Sequence, residues 1–282
     1  MNKLKFKSYL LALVPFLLLI FIFELLPLCS IIFKSFVQEG NGGFTLDNYI
    51  NVFSKPIYRQ AITNSIVISM ISAVVGIVVA FIGAKAAHNT ESSLKRVFMS
   101  ILNMTSNFAG VPLAFSFIIL LGKTGVLVIL AKALGIESIA NFDIYSNNGL
   151  TLIYIYFQIP LATLLLIPAF NALREEYREA AKILRANSFQ YWIHVGLPIL
   201  MASLLSTFSV LFANSLVAYG TAYALLSGNA SLLPIRISEM FVGDLTQRAE
   251  LGSALSVVLL LLMALAFWIN NMVTRKLRKD VE

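Results

Sequence analysis

The sequence predicts an all-α polytopic membrane protein, with six transmembrane helices and a structured loop, 171–198, between the fourth and fifth. Three observations carry this. The chain of 282 residues is 59% hydrophobic and 12% charged, whereas a soluble domain carries about 25% charged residues. Its apolar residues come in runs long enough to cross the hydrocarbon core, which takes about 20 residues of helix. Its lysines and arginines gather in alternate connecting segments. Lipid offers backbone N–H and C=O groups no partners, so spanning segments satisfy their own by coiling. The predicted spans are 9–33, 62–87, 97–121, 150–170, 199–226 and 252–273, within one transmembrane domain covering 1–282.

Charge sets the topology. With the N-terminus inside, the inner segments hold Lys3, Lys5, Lys7, Lys85, Lys95, Arg96, Arg174, Arg178, Lys182, Arg185, Arg275, Lys276, Arg278 and Lys279. The outer segments hold Lys34, Lys55, Arg59, Lys123, Lys132, Arg236 and Arg248. Fourteen against seven is the bias expected when both termini are cytoplasmic. The net charge of +7 follows from this gathering and implies no nucleic acid. The single cysteine, Cys29, excludes a disulfide within the chain and reads as a small apolar residue.

The first apolar run is longer than a signal-peptide core and lacks a small-x-small site after it, so it is expected to remain as a spanning helix. It holds Pro15 and Pro27, which remove backbone donors, and Glu24. An ionisable residue within a span is a candidate solute contact; the alternative is an outer-end residue that reaches water or pairs with a partner helix. In the outer loop 34–60, Leu46, Tyr49, Ile50 and Phe53 recur at helical spacing and predict a short surface helix. The second span carries a small-residue stripe, Ala73, Gly76, Ala80, Gly83 and Ala87, expected to pack closely on a neighbouring helix or subunit.

The third span is polar for a membrane helix: Asn103, Thr105, Ser106 and Asn107 precede Gly110 and Pro112. Such a run is tolerated where it faces protein or a water-filled cavity, which makes Asn103 and Asn107 candidates for a solute path. A small amphipathic helix is expected near Val126–Leu134. In the fifth span Ser203, Ser206, Thr207, Asn214 and Thr221 fall on one helical face. This face suits the solute path or interhelical hydrogen bonds equally. Gly228 and Pro234 punctuate the last outer loop, and Trp268 precedes a basic tail.

Several chemistries are excluded. Gly122-Lys123-Thr124 resembles the end of a P-loop, but the glycine that a P-loop needs five residues earlier is Phe117. His88 and His194 are isolated, and no metal-ligand spacing or nucleophile–base set is present. Asn229-Ala230-Ser231 fits a glycosylation pattern that is short and common. No catalytic residue, metal or cofactor is expected, and the chain is not read as an enzyme.

The loop is the exception to this apolar text. On a helix beginning at Arg174, the basic residues Arg174, Arg178, Lys182 and Arg185 lie within about 80° of one another. Tyr177, Ala180, Ala181 and Leu184 share a second face, and Glu175, Glu176 and Glu179 a third. Such sorting suits a helix that lays an apolar side on protein and offers charge to a partner. Asn187 and Ser188 read as turn and N-cap residues before a second short helix, Ser188–Gly196, with Pro198 opening the fifth span.

The stretch EAAKILRANSFQYWIHVGLP resembles the EAA loop of permeases from binding-protein-dependent ABC importers with the type I fold. Glu179, Ala180, Ala181, Ala186, Val195, Leu197 and Pro198 stand at matching positions, and FTLDNY, Thr63-Asn64-Ser65 and LLPIRISEMF are similar as well. The family's usual glycine is Arg185 here. That glycine serves a left-handed turn; either Asn187 takes the turn over or the turn has another shape.

The resemblance implies that the loop is a cytoplasmic coupling helix seated in an ABC ATPase. Glu179 would pair with a basic residue there, and Ala180 and Ala181 would allow close approach. It implies two ATPase subunits, a second and non-identical permease, an external substrate-binding protein, and a place in a prokaryotic cell membrane. The permeases it resembles serve polyamines, ferric iron, thiamine or phosphonates. An ion-gradient-driven secondary transporter and an anchoring scaffold are the alternatives. The first calls for intramembrane coupling sites, for which only Glu24 qualifies; the polar face of the fifth span argues against the second.

Overall fold

The computed structural model describes residues 13–40, 42–88, 93–226, 231–242 and 247–279. The start of the first expected span, Lys3, Lys5, Lys7, Gly228 and Asn229 lie outside the described residues. In chain order the helices are α1 (Leu13–Ser35), α2 (Asp47–Ser54), α3 (Pro56–His88), α4 (Ser93–Ser106), α5 (Val111–Leu121) and α6 (Val126–Ala133). They continue with α7 (Glu137–Ala140), α8 (Asn147–Leu166), α9 (Glu175–Ile183), α10 (Ser188–Leu216), α11 (Tyr219–Leu226), α12 (Leu233–Val242) and α13 (Ala249–Lys279). Among the described residues, six helical stretches are long and apolar enough to cross a membrane.

Two expected spans differ in detail. The stretch 97–121 is two helices, α4 and α5, because Gly110 takes φ 74° and Pro112 opens α5 without a backbone donor. The longest apolar stretch there is therefore Val111–Ala133. The stretch 199–226 also divides. Its helix begins earlier, at Ser188, and ends at Leu216, and α11 follows separately. At that break the Tyr154 hydroxyl donates to the Ala218 carbonyl at 2.5 Å.

The chain divides into two compact units, Met1–Arg59 with Arg236–Leu261, and Gln60–Ile235 with Leu262–Glu282. In the first, α1 has no buried residue across its apolar window, so this helix depends on lipid or another chain for cover. The expected short helix forms as α2, held to the end of α1 by the Asn48 amide, which donates to the carbonyls of Ser35 (3.1 Å) and Val37 (2.9 Å). Ser35 Oγ and the Tyr49 hydroxyl share a 2.7 Å bond.

In the second unit α8 is the central helix. Ser146 caps its start, Oγ accepting from Gly149 N. Its buried Ile153, Tyr154 and Phe157 meet Leu113, Ala114, Ile144 and Leu225 in one core. The small-residue stripe of α3 is where close approach was expected. Ala73, Ala80 and Ala87 are buried, and a Cβ on Gly76 would lie 3.0 Å from Gln158 Cβ. The neighbour is thus α8 of the same chain.

Candidate functional site

The exposed loop between α8 and α10 is built almost wholly from local bonds. Arg174 is extended at the N-cap of α9, and Glu175 and Glu176 occupy its first turn, where carboxylates oppose the helix dipole. The far end is closed by two backbone bonds, Arg185 N to Lys182 O and Ala186 N to Ala181 O, both 2.9 Å. That pair is a Schellman closure, whose turning residue must be left-handed. The turning residue is Arg185, with φ 55°, the one non-glycine residue at positive φ among those described. Asn187 does not take over the turn; its φ is −77°. It instead begins the next helix through a capping box: Gln190 N donates to Asn187 Oδ1, and Asn187 N to Gln190 Oε1, each at 2.8 Å. The left-handed turn falls on arginine because its place is fixed by where α9 ends. Asparagine two residues on is already committed as a cap.

From Trp192 to Gly196 the backbone winds as a single π turn before Leu197 and Pro198 start the regular part of α10. A Cβ on Gly196 would meet the Trp192 ring at 2.6 Å, so glycine is what lets the indole fold back over its own helix. That indole sits in an aromatic clamp. Phe81 of α3 packs edge-on to it at 5.5 Å, Phe170 lies 6.4 Å away, and Lys85 Nζ stands 4.3 Å from the ring centroid. The clamp ties the loop to the ends of α3 and α8.

The outward side is open. Glu179, Ala180, Leu184, Arg185 and Pro198 are exposed, Ala186 and Leu197 are half-buried, and Ala181 and Gly196 are buried. Leu184 is 79% exposed. It lines a groove with Tyr177, Ala180, Tyr191, His194 and Val195. The apolar face of α9 is therefore mostly uncovered within this chain, with Glu176 and Glu179 exposed on the same helix.

The solute-path candidates are more scattered. Glu24 is exposed in a π turn of α1, Phe21–Leu25. Asn103 donates back to Met99 O (2.9 Å) and Asn107 to Asn103 O (2.8 Å). The polar run of α4 therefore satisfies itself from its own helix. Thr207 is buried on α10, while Ser203 and Asn214 are half-buried. Thr221 lies on α11, away from that stripe, and donates to Gly110 O at 3.2 Å. The structure joins Asn103 to Asn107 on α4, keeps Ser203, Thr207 and Asn214 together on α10, and leaves Glu24 and Thr221 on separate elements.

A polar cluster that the sequence reading passed over lies between α3, α8 and α10. Gln158 is fully buried. Its Nε2 donates to Leu211 O at 2.7 Å and to Ser215 Oγ, and Ser215 Oγ shares a 3.1 Å bond with Ser72 Oγ. Gln158 Oε1 and Ser69 Oγ have no partner. The signal was present: one amide within an apolar span, two residues before Pro160, and serines 65, 69 and 72 continuing the stripe of α3. Ser65 and Asn64 do further work. Ser65 Oγ accepts from Leu233 N (2.9 Å), and the Asn64 amide donates to Ser231 O (3.1 Å). They hold the chain where α12 begins.

Comparison with known proteins adds context to this geometry. The sequence profile of the family described as "Binding-protein-dependent transport system inner membrane component" matches residues 74–279. The chain is 28% identical over 273 residues to the spermidine/putrescine transport system permease protein PotB of Haemophilus influenzae, covering 92% of each. It is 26% identical over 269 residues to the ferric transport system permease protein FbpB of Actinobacillus pleuropneumoniae, and that match takes in 92% of this chain but 38% of that protein's length. In fold it is similar to a chain of a bacterial ABC transporter that imports the acidic polysaccharide alginate, with a TM-score of 0.74, 15% identity and 96% of both chains covered. A chain of the MetNI methionine ABC transporter matches with a TM-score of 0.57 and 14% identity, over 79% of this chain and 98% of that one.

Proposed function

This chain belongs to the family of binding-protein-dependent transport system inner membrane components, and on that premise we propose that it is a transmembrane subunit of an ATP-driven importer, with α9 as its coupling helix. The observation that carries the reading is the loop itself. It is fixed at both ends by backbone bonds and clamped to two spanning helices, yet it presents an open groove lined by Tyr177, Ala180 and Leu184, with Glu176 and Glu179 exposed on the same helix. A helix held rigidly from behind and left open in front transmits a partner's motion as a body.

Two cytoplasmic ABC ATPases supply the motion. Glu179 pairs with a basic residue of the ATPase, Ala180 lets the backbones approach, and Leu184 fills an apolar recess. Both termini are cytoplasmic, which puts the loop on the side of ATP. A second, non-identical permease completes the path, and an external binding protein delivers the solute. The path takes in Asn103, Asn107, Ser203, Thr207, Asn214 and Thr221, with Glu24 as a further contact. The solute is small and polar or charged, of the polyamine, ferric iron, thiamine or phosphonate class. Relatives named for ferric iron, spermidine and putrescine, sulfate and thiamine support that breadth.

Co-purification from the native membrane tests the assembly: an ABC ATPase is expected in stoichiometric yield. Glu179→Lys tests the coupling. Transport and transport-stimulated ATP hydrolysis are expected to fall to background while membrane insertion stays intact. Normal transport by this variant would remove Glu179 from the coupling role.

A further inference from the structure

Between the start of the proposed coupling helix and the end of α3 lies a second cavity of about 140 Å³, which shares Tyr191 with the open groove. This is about ten times what one buried water needs. Four basic side chains line it: Lys85 and His88 from the last turn of α3, and Arg174 and Arg178 from the start of α9. Glu175 is the one acidic residue of the lining and stands 3.9 Å from Arg178, which leaves Lys85 and Arg174 as the positive excess. The start of α9 adds nothing to this charge, since Glu175 and Glu176 occupy its first turn and the Tyr177 amide is bonded to Arg174 O. The anion site therefore rests on the basic lining, in which Lys85 from α3 faces Arg174 and Arg178 across one cavity.

From this geometry we infer that the cavity binds a phosphate-bearing anion, and that its source is the headgroup of an anionic phospholipid. Position favours the lipid over a soluble phosphate. The cavity sits where α3 and the end of α8 leave the membrane, and Phe170, Tyr191 and Trp192 form its wall. Aromatic side chains of this kind settle at headgroup level, and basic pockets between spanning helices at that depth hold anionic headgroups. Lys85 already lies over the Trp192 ring. A phosphate between Lys85 and Arg174 would therefore join α3 to α9 across the clamp and stiffen the coupling helix. That consequence rests on the proposed coupling function; the binding site does not.

The full-length protein, purified and incorporated into phosphatidylcholine vesicles with or without phosphatidylglycerol, tests the site by native mass spectrometry of retained lipid. Phosphatidylglycerol is expected to be retained in preference. Arg174→Gln and Lys85→Gln are each expected to weaken retention about five-fold, the effect of one basic residue near a lipid surface. Lys182→Gln, on the same helix but outside the cavity, is expected to leave it unchanged. Equal retention of the two lipids, or equal loss in Lys182→Gln, overturns the site. Displacement of phosphatidylglycerol by millimolar inorganic phosphate assigns the cavity to soluble phosphate and overturns the lipid source. Lipid preference without a co-purifying ATPase leaves the site standing and removes the importer reading instead. In the assembled transporter, stimulated ATP hydrolysis is expected to rise with phosphatidylglycerol in the wild type and to stay flat in Arg174→Gln. A parallel rise in both overturns the stiffening role.

Discussion

Two polar regions of this chain meet the same demand by opposite means. In the exposed loop between α8 and α10, the polar backbone groups of α9 and of the helix that follows find partners three to five residues away: the Schellman closure at Arg185 and the capping box at Asn187. In the interior, Gln158 is satisfied by Leu211 and Ser215, 53 and 57 residues on, and Ser215 meets Ser72 across 143 residues. The loop holds its shape from its own sequence and is free to present a face outward. The interior cluster exists only when three helices are already packed, and one of its acceptors, Gln158 Oε1, remains without a donor. A locally closed element suits a lever. A cluster with long-range bonds and a spare acceptor suits a joint whose helices shift against one another, because such bonds in membranes are worth little individually.

The contrast can be broken most directly at Gln158. Gln158→Ala leaves a cavity and strips two bonds, and a loss of about 2–4 kcal/mol in unfolding free energy is expected in detergent micelles. A double-mutant cycle with Ser215→Ala should depart from additivity by about 0.5–1.5 kcal/mol. Additive behaviour would mean that the two side chains do not act as a unit. Next in size is Gly76→Val, which forces branched carbon into the 3.0 Å approach to Gln158 and should cost about 1–3 kcal/mol by overpacking. Equal stability of this variant would show that α3 and α8 have room to separate.

The loop should respond more weakly and only nearby. Asn187→Ala removes one half of the capping box and is expected to cost about 1 kcal/mol. Hydrogen exchange should speed up at residues 188–191 while the slowest-exchanging core amides of α8 keep their rate. Core exchange that speeds up with the loop would contradict its local character. The smallest effect runs the other way. Arg185→Gly relieves a left-handed arginine, a strain of about 1–2 kcal/mol, part of which glycine's greater freedom in the unfolded chain takes back. A net gain of about 0.5–1 kcal/mol in the local stability of α9 is the expected result, read from exchange at residues 182–186. Destabilisation would show that the arginine side chain has a partner that outweighs its backbone strain.

How much of this was legible in the sequence follows the same division. Hydropathy and the placing of lysine and arginine predict an all-helical chain with six spans, because both depend on composition along the chain rather than on partners. The three faces of α9 and the capping role of Asn187 were readable for the same reason: helical period and capping are local. The close approach at Gly76 was readable as a stripe, though not as an approach to Gln158. The left-handed turn falls on Arg185, where the family's glycine stands, because the end of α9 and not the most tolerant residue fixes where the chain must reverse. Tertiary structure alone decided the rest. It set Thr221 on a separate helix, with its hydroxyl on the Gly110 carbonyl. It also gathered Lys85, Phe170, Arg174 and Trp192 around one cavity. Those residues come from three segments, and only the packing of helix ends brings them together, which no pattern along a single helix records.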